Sequence, residues 1–112
     1  MIFRNRQGDN IDAEQAEAML KEFGLEVATD QFTFDGQQVL IRSRLQPVSH
    51  DEYSPLFLTM VFGDRERGIQ EFPTNSEEEC RQFHRSIVDR YLLVERARQE
   101  EGMPRVLLNG VL

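Results

Sequence analysis

Between Asp12 and Phe23 the apolar residues Ala16, Met19, Leu20 and Phe23 recur at helical spacing. Asp12 and Gln15 form a capping box at the start, and Gly24 stands where a left-handed C-terminal residue is expected. A helix over Asp12–Phe23 follows. Phe32 and Phe34 then alternate with polar neighbours up to Asp35-Gly36, a hairpin signal. Beyond it, Val39, Ile41, Ser43 and Leu45 fall on one strand face, with Leu40, Arg42 and Arg44 on the other. Pro47 ends that strand, and QPVSHDEYSP reads as a loop. From Leu56 to Phe62 both alternating sets are apolar, the pattern of a central strand covered on both sides. GDRERG is a turn, and Ile69–Phe72 a short fourth strand.

The second helix has the clearest pattern. Thr74, Asn75 and Ser76 each have a glutamate three residues on, so a capping box fits three registers. Glu77, Glu78 and Glu79 favour the positive end of the helix dipole. Cys80, Phe83, Ile87, Tyr91 and Val94 make an apolar stripe, widened by Val88 and Leu92. Arg96 and Arg98 suit the last turns, and Gly102 and Pro104 the stop. Residues 1–9 read as a loose lead-in, and the apolar tail 105–112 as an edge strand or a self-association segment. The expected fold is a single α+β domain. A three- to four-stranded antiparallel sheet is packed by the long C-terminal helix and preceded by the shorter N-terminal one.

A length of 112 residues suits one modest core, and 39% hydrophobic residues in periodic stretches argue against wholesale disorder. The longest uncharged mid-chain stretch, Tyr53 to Gly63, is 11 residues, far short of the roughly 20 a membrane helix needs. MIFRNRQGDN lacks the apolar centre of a secretory signal. One cysteine makes no internal disulfide and fits a reducing cytoplasm. The net charge of −7 weighs against a nucleic-acid binder that works by neutralising phosphates. It favours a basic protein partner instead. Of 13 basic residues Lys21 is the only lysine, a ratio that GC-rich codon usage produces without any functional demand.

Three groups could carry chemistry. Cys80 and His84 are one helical turn apart, so a thiolate could meet an imidazole, and the pair is half of a metal site. Cys80 equally continues the apolar stripe as a small hydrophobe, and a zinc site would need His50 with Asp51 or Glu52 brought to the helix, which nothing in the spacing does. The cluster His50-Asp51-Glu52-Tyr53 reads first as a solvated turn. With no phosphate loop, nucleophile elbow or H-E-x-x-H motif, the sequence gives no catalytic residue, no metal site and no cofactor, and is expected not to be an enzyme. From Asp9 to Asp30, seven acids face Lys21 alone, a local net charge of −6. Glu14, Glu17 and Glu22 would line the solvent side of the first helix, with Glu26 just beyond, and such a row can imitate the phosphates of DNA. A solvated, solubilising face is the plainer reading of the same residues.

The blocks Pro55–Gly63 and Ser76–His84 resemble a group of short, uncharacterised proteins encoded by bacteriophages and prophages. Pro55, Leu56, Phe57, Thr59, Met60, Val61, Phe62 and Gly63 match its strand block, and Ser76, Glu77, Glu78, Glu79 and His84 its helix start. Leu58, Cys80 and Phe83 depart from a usual glutamate, alanine and glycine. The resemblance covers about a quarter of the chain and implies origin more than activity. It favours a small acidic accessory protein in the host cytoplasm, a non-catalytic interaction module. Glu14, Glu17, Glu22 and Glu26 would contact a basic surface on a host protein, as an inhibitor occupying a nucleic-acid-binding groove. The alternative is an oligomeric structural or assembly component, with the tail and exposed strand edges as contacts.

Overall fold

The computed structural model describes residues 1–101. In chain order it runs β1 (Ile2–Arg4), β2 (Asn10–Ile11), α1 (Ala13–Phe23), β3 (Glu26–Phe34), β4 (Gln37–Leu45), β5 (Val48–Ser49), β6 (Phe57–Phe62), β7 (Gln70–Thr74) and α2 (Glu77–Glu101). The long strands form one antiparallel sheet in the order β3-β4-β6-β7, and the short ones a second in the order β2-β1-β5. The architecture is α+β, with α2 across one face of the larger sheet. The tail at 105–112 and the stop at Gly102 and Pro104 lie outside the described residues.

Local chemistry explains most of these elements. Asp12 Oδ1 accepts from the Gln15 N–H at 2.7 Å while Gln15 Oε1 accepts from the Asp12 N–H at 3.0 Å, so the capping box is closed in both directions. At the β3–β4 hairpin Asp35 (φ +52°) and Gly36 (φ +74°) are both left-handed, as a type I′ turn requires. The end of α2 holds that turn: Arg98 reaches Asp35 at 2.7 Å and lies over the Phe34 ring at 5.0 Å. Of the three capping registers α2 uses Ser76, whose Oγ accepts from the Glu79 N–H at 3.1 Å.

Alternation sorts the sheet into two faces. Ser43 pairs with Thr59, and Ile41 with Val61, so these point together toward α2, where Ile87, Val88, Tyr91 and Val94 close the core. Tyr91 stacks edge-on against Phe34, centroids 4.8 Å apart. A second cluster of Val27, Leu45, Leu56, Phe57 and Cys80 fills the other end, with Met19 and Leu25 against it.

The structure corrects five expectations. Residues 1–9 are not loose: β1 pairs with β2 and β5, held by the buried Arg4, which donates to Ser54 O at 2.8 Å and to Ser49 Oγ at 3.2 Å. Strand β3 starts at Glu26 rather than near Phe32, because a bulge between Glu26 and Ala28 shifts the register of an edge strand whose outer positions are polar. Strand β7 starts at Gln70, leaving Ile69 exposed. Leu92 does not widen the core stripe, since Val88 and Tyr91 already meet the sheet and Leu92 turns to solvent. Finally, β6 is fully buried on one face only: Leu58, Met60 and Phe62 are half-buried because α2 covers the side of Phe57, Thr59 and Val61.

Gly63 ends β6 at φ +92°, and a β-carbon there would stand 2.0 Å from the carbonyl oxygen of Gln38. Both the left-handed backbone and the space demand glycine. Gly63→Ala is expected to cost about 3 kcal/mol, read as the shift of a urea unfolding midpoint.

Candidate functional site

Helix α1 packs chiefly on β1 and reaches the larger sheet through Met19, which lies against the cluster of Val27, Leu45 and Phe57. Ala16 is its buried residue. Gln15, Met19 and Phe23, each four residues on, form a stripe that walls an open cleft of about 690 Å³. Arg6, Glu77 and Arg81 supply its charged lining, with Glu26, and Asn5, Gln7 and Ile11 complete it. Phe23, expected in the core, is 60% exposed at the end of this stripe, because α1 has no sheet beneath its last turn.

The charged wall is tied together. Arg6 pairs with the Glu77 carboxylate and donates to the carbonyls of Gly24 at 3.4 Å and Glu26 at 2.9 Å, so one guanidinium joins the β1–β2 turn, the α1–β3 connection and the start of α2. Arg81 Nε stands 3.6 Å from the other Glu77 oxygen. Glu14, Glu17 and Glu22 are exposed on the outer side of α1, where Lys21 pairs with Glu17 at 3.3 Å. Glu26 is not on the helix: on β3, exposed, it bonds Thr29 and faces Arg42 at 3.6 Å. The structure thus brings Glu14, Glu17 and Glu22 onto one element and sets Glu26 in the lining of the cleft.

Cys80 and His84 do not meet each other. His84 Nε2 lies 2.7 Å from Asp30 Oδ2, and Nδ1 lies 2.7 Å from Ser43 Oγ. Ser43 Oγ is 2.6 Å from Thr59 Oγ1, which is 3.8 Å from Cys80 Sγ. An ionised carboxylate only accepts, so the imidazole donates its Nε2–H to Asp30. From Nδ1 the hydroxyls of Ser43 and Thr59 and the Cys80 thiol continue as one buried chain of polar side chains.

These are the residue types of an acyl-transfer triad, but their exposure is reversed. In a hydrolase the serine faces substrate and the carboxylate is buried. Here Ser43 is 0% exposed and the Asp30 side chain is 51% exposed. The Ser43 hydroxyl has no open face for a substrate carbonyl, so the arrangement satisfies buried polar groups beneath α2.

A second polar cluster anchors the turn after β6. Asp64, 3% exposed, accepts from the Tyr91 hydroxyl at 2.6 Å, from the Glu66 and Arg67 N–H groups, and from the Arg67 guanidinium at 3.3 Å. Burial pushes the carboxyl upward. The hydrogen bonds from Tyr91 and Arg67 outweigh it, and Asp64 is held below its ordinary 3.8. Burial, then the bond to Asp64, push Tyr91 up to about 12. The signs follow by linkage. The depressed Asp64 contributes stability above pH 3.8 that is lost as pH falls further. The raised Tyr91 contributes stability below pH 10 that is lost as pH climbs toward about 12. Thermal melts of Tyr91→Phe against the parent should therefore lose the alkaline part of this dependence, and equal steepness above pH 10 would refute it.

The loop of His50, Asp51, Glu52 and Tyr53 is exposed and stays apart from His84. Asp51 Oδ1 accepts from the Tyr53 N–H at 2.9 Å and the Ser54 hydroxyl at 3.2 Å, an ordered turn built on Arg4. Among the described residues no three His, Cys, Asp or Glu side chains are grouped to hold a metal ion. No described helix is long and apolar enough to cross a membrane. Comparisons of the chain with protein-family models, with curated proteins and with solved structures give no match.

Proposed function

We propose that this chain is a small non-catalytic protein-interaction module of the kind phages encode, acting in the host cytoplasm. Its α1 and the adjoining cleft engage a basic surface of a partner protein. The partner surface is one that otherwise holds nucleic acid, so that binding inhibits it.

One observation carries the reading. Glu14, Glu17 and Glu22 stand exposed on the same short helix as Phe23, which is 60% exposed beside an open cleft. Protein interfaces draw their energy from an exposed aromatic anchor with a groove beside it, and their orientation and on-rate from the surrounding charge. An acidic face alone would be solubilising. An acidic face around an unburied phenylalanine has the composition of a contact surface. A lysine or arginine of the partner would meet the glutamates while an apolar neighbour packs on Met19 and Phe23.

The test is a pull-down with the parent chain beside a Glu14→Lys, Glu17→Lys, Glu22→Lys variant and a Phe23→Ala variant. A partner held by the parent and lost by both is expected. The partner's nucleic-acid binding, followed by gel shift, should fall as the parent chain is added. Retention by the charge-reversed variant would refute the reading.

A further inference from the structure

The face of the larger sheet turned away from α2 has no helix over it among the described residues. Strand alternation places Leu40, Leu58, Met60 and Phe62 there, all half-buried. The last three run along β6 as one apolar ridge. Charge flanks the ridge in register: Arg42 pairs with Met60, and Met60 with Glu71, so a basic, an apolar and an acidic residue form one row across β4, β6 and β7. Glu71 is exposed and makes no ion pair among the described residues, while Arg42 turns its Nε to Glu26 of the same chain at 3.6 Å and keeps its terminal nitrogens for a second carboxylate.

That row is self-complementary. A two-fold axis lying along β6, between two copies, would stack ridge on ridge and reverse the lateral order of strands. Arg42 of each copy would then stand opposite Glu71 of the other, twice per dimer. An axis across the strands would instead set Arg42 against Arg42. The two long side chains span the roughly 10 Å between packed sheets.

We infer that this open sheet face is the interface of a homodimer, a two-sheet sandwich with its axis along β6 and two symmetric Arg42–Glu71 pairs. It adjoins the partner surface on α1, since Arg42 stands 3.6 Å from Glu26 of the cleft, but it uses the sheet face and not the helix. Three strands of about six residues give a footprint of roughly 14 by 20 Å. That is small beside the roughly 800 Å² per partner of a standard interface, so the dimer is weak.

Sedimentation velocity on the full chain, from about 1 µM to about 1 mM, tests it. A concentration-dependent shift from monomer to dimer is expected. Met60→Lys should abolish the shift. Arg42→Glu or Glu71→Arg alone should weaken dimerisation about tenfold or more, and the double exchange should restore it, since both pairs re-form with their signs swapped. The exchange sits at the sheet surface, on the exposed Glu71 and the half-buried Arg42, so it reports even if Met60→Lys fails to fold. A monomer throughout the range would overturn the inference, as would a dimer indifferent to Met60→Lys or a double exchange that fails to rescue.

Discussion

Replacing His84 with alanine is expected to lower stability by about 3 to 4 kcal/mol, the largest loss at any single polar side chain of this fold. The imidazole is 3% exposed and is bonded at both nitrogens, to Asp30 and to Ser43. Its removal leaves a cavity under α2 and strands the Ser43 hydroxyl, which is 0% exposed and keeps only Thr59. For a chain of this size the loss lowers the melting temperature by roughly 15 °C or more. Asp30→Ala should cost far less, since that carboxylate is half in water. A double-mutant cycle with Ser43→Ala should show coupling of about 1 kcal/mol or more. If His84→Ala melted within a few degrees of the parent, the hydrogen-bond chain would hold nothing together.

The second large effect is on binding. Reversing Glu14, Glu17 and Glu22 to lysine should cut affinity for the basic partner by roughly a hundredfold, about 3 kcal/mol. Each reversal removes an attraction and adds a repulsion at a surface where other acids remain. Stability should change little, because all three side chains are exposed. Glu14 and Glu17 are the exceptions in degree: a lysine in the first turn of α1 opposes the helix dipole at a cost of about 0.5 kcal/mol, and a lysine at 17 replaces the pair with Lys21 by a repulsion of similar size. Unchanged affinity with an intact fold would mean that the acidic face serves solubility alone.

Both helices and the larger sheet were legible because their signals are local. The Asp12–Gln15 box, the Asp35-Gly36 turn and the Cys80-to-Val94 stripe each decide structure within a few residues. The second sheet was not legible. Its strands are two or three residues long, and Arg4 holds them through carbonyls some 50 positions away, as in its bond to Ser54. The partners of His84 were half legible. Ser43 falls among Val39, Ile41 and Leu45 on the inward face of one strand, and Thr59 between Phe57 and Val61 on another. A hydroxyl at an inward position of two adjacent strands asks for a buried polar partner, and His84 on the covering helix supplies it. Asp30 carried no such signal, because the bulge in β3 sets its face. The cleft was illegible for a related reason. Phe23 continues the apolar period of α1, and periodicity cannot show that the core ends one turn earlier.

The direct test of α1 as a contact surface is a parallel pull-down with the parent chain and the triple glutamate-to-lysine variant, each at about 0.1 M and then about 0.5 M salt. The account predicts a stoichiometric partner on the parent at low salt, released as salt rises, and none on the variant. An equal yield of that partner from both, or no partner for the parent, would contradict it.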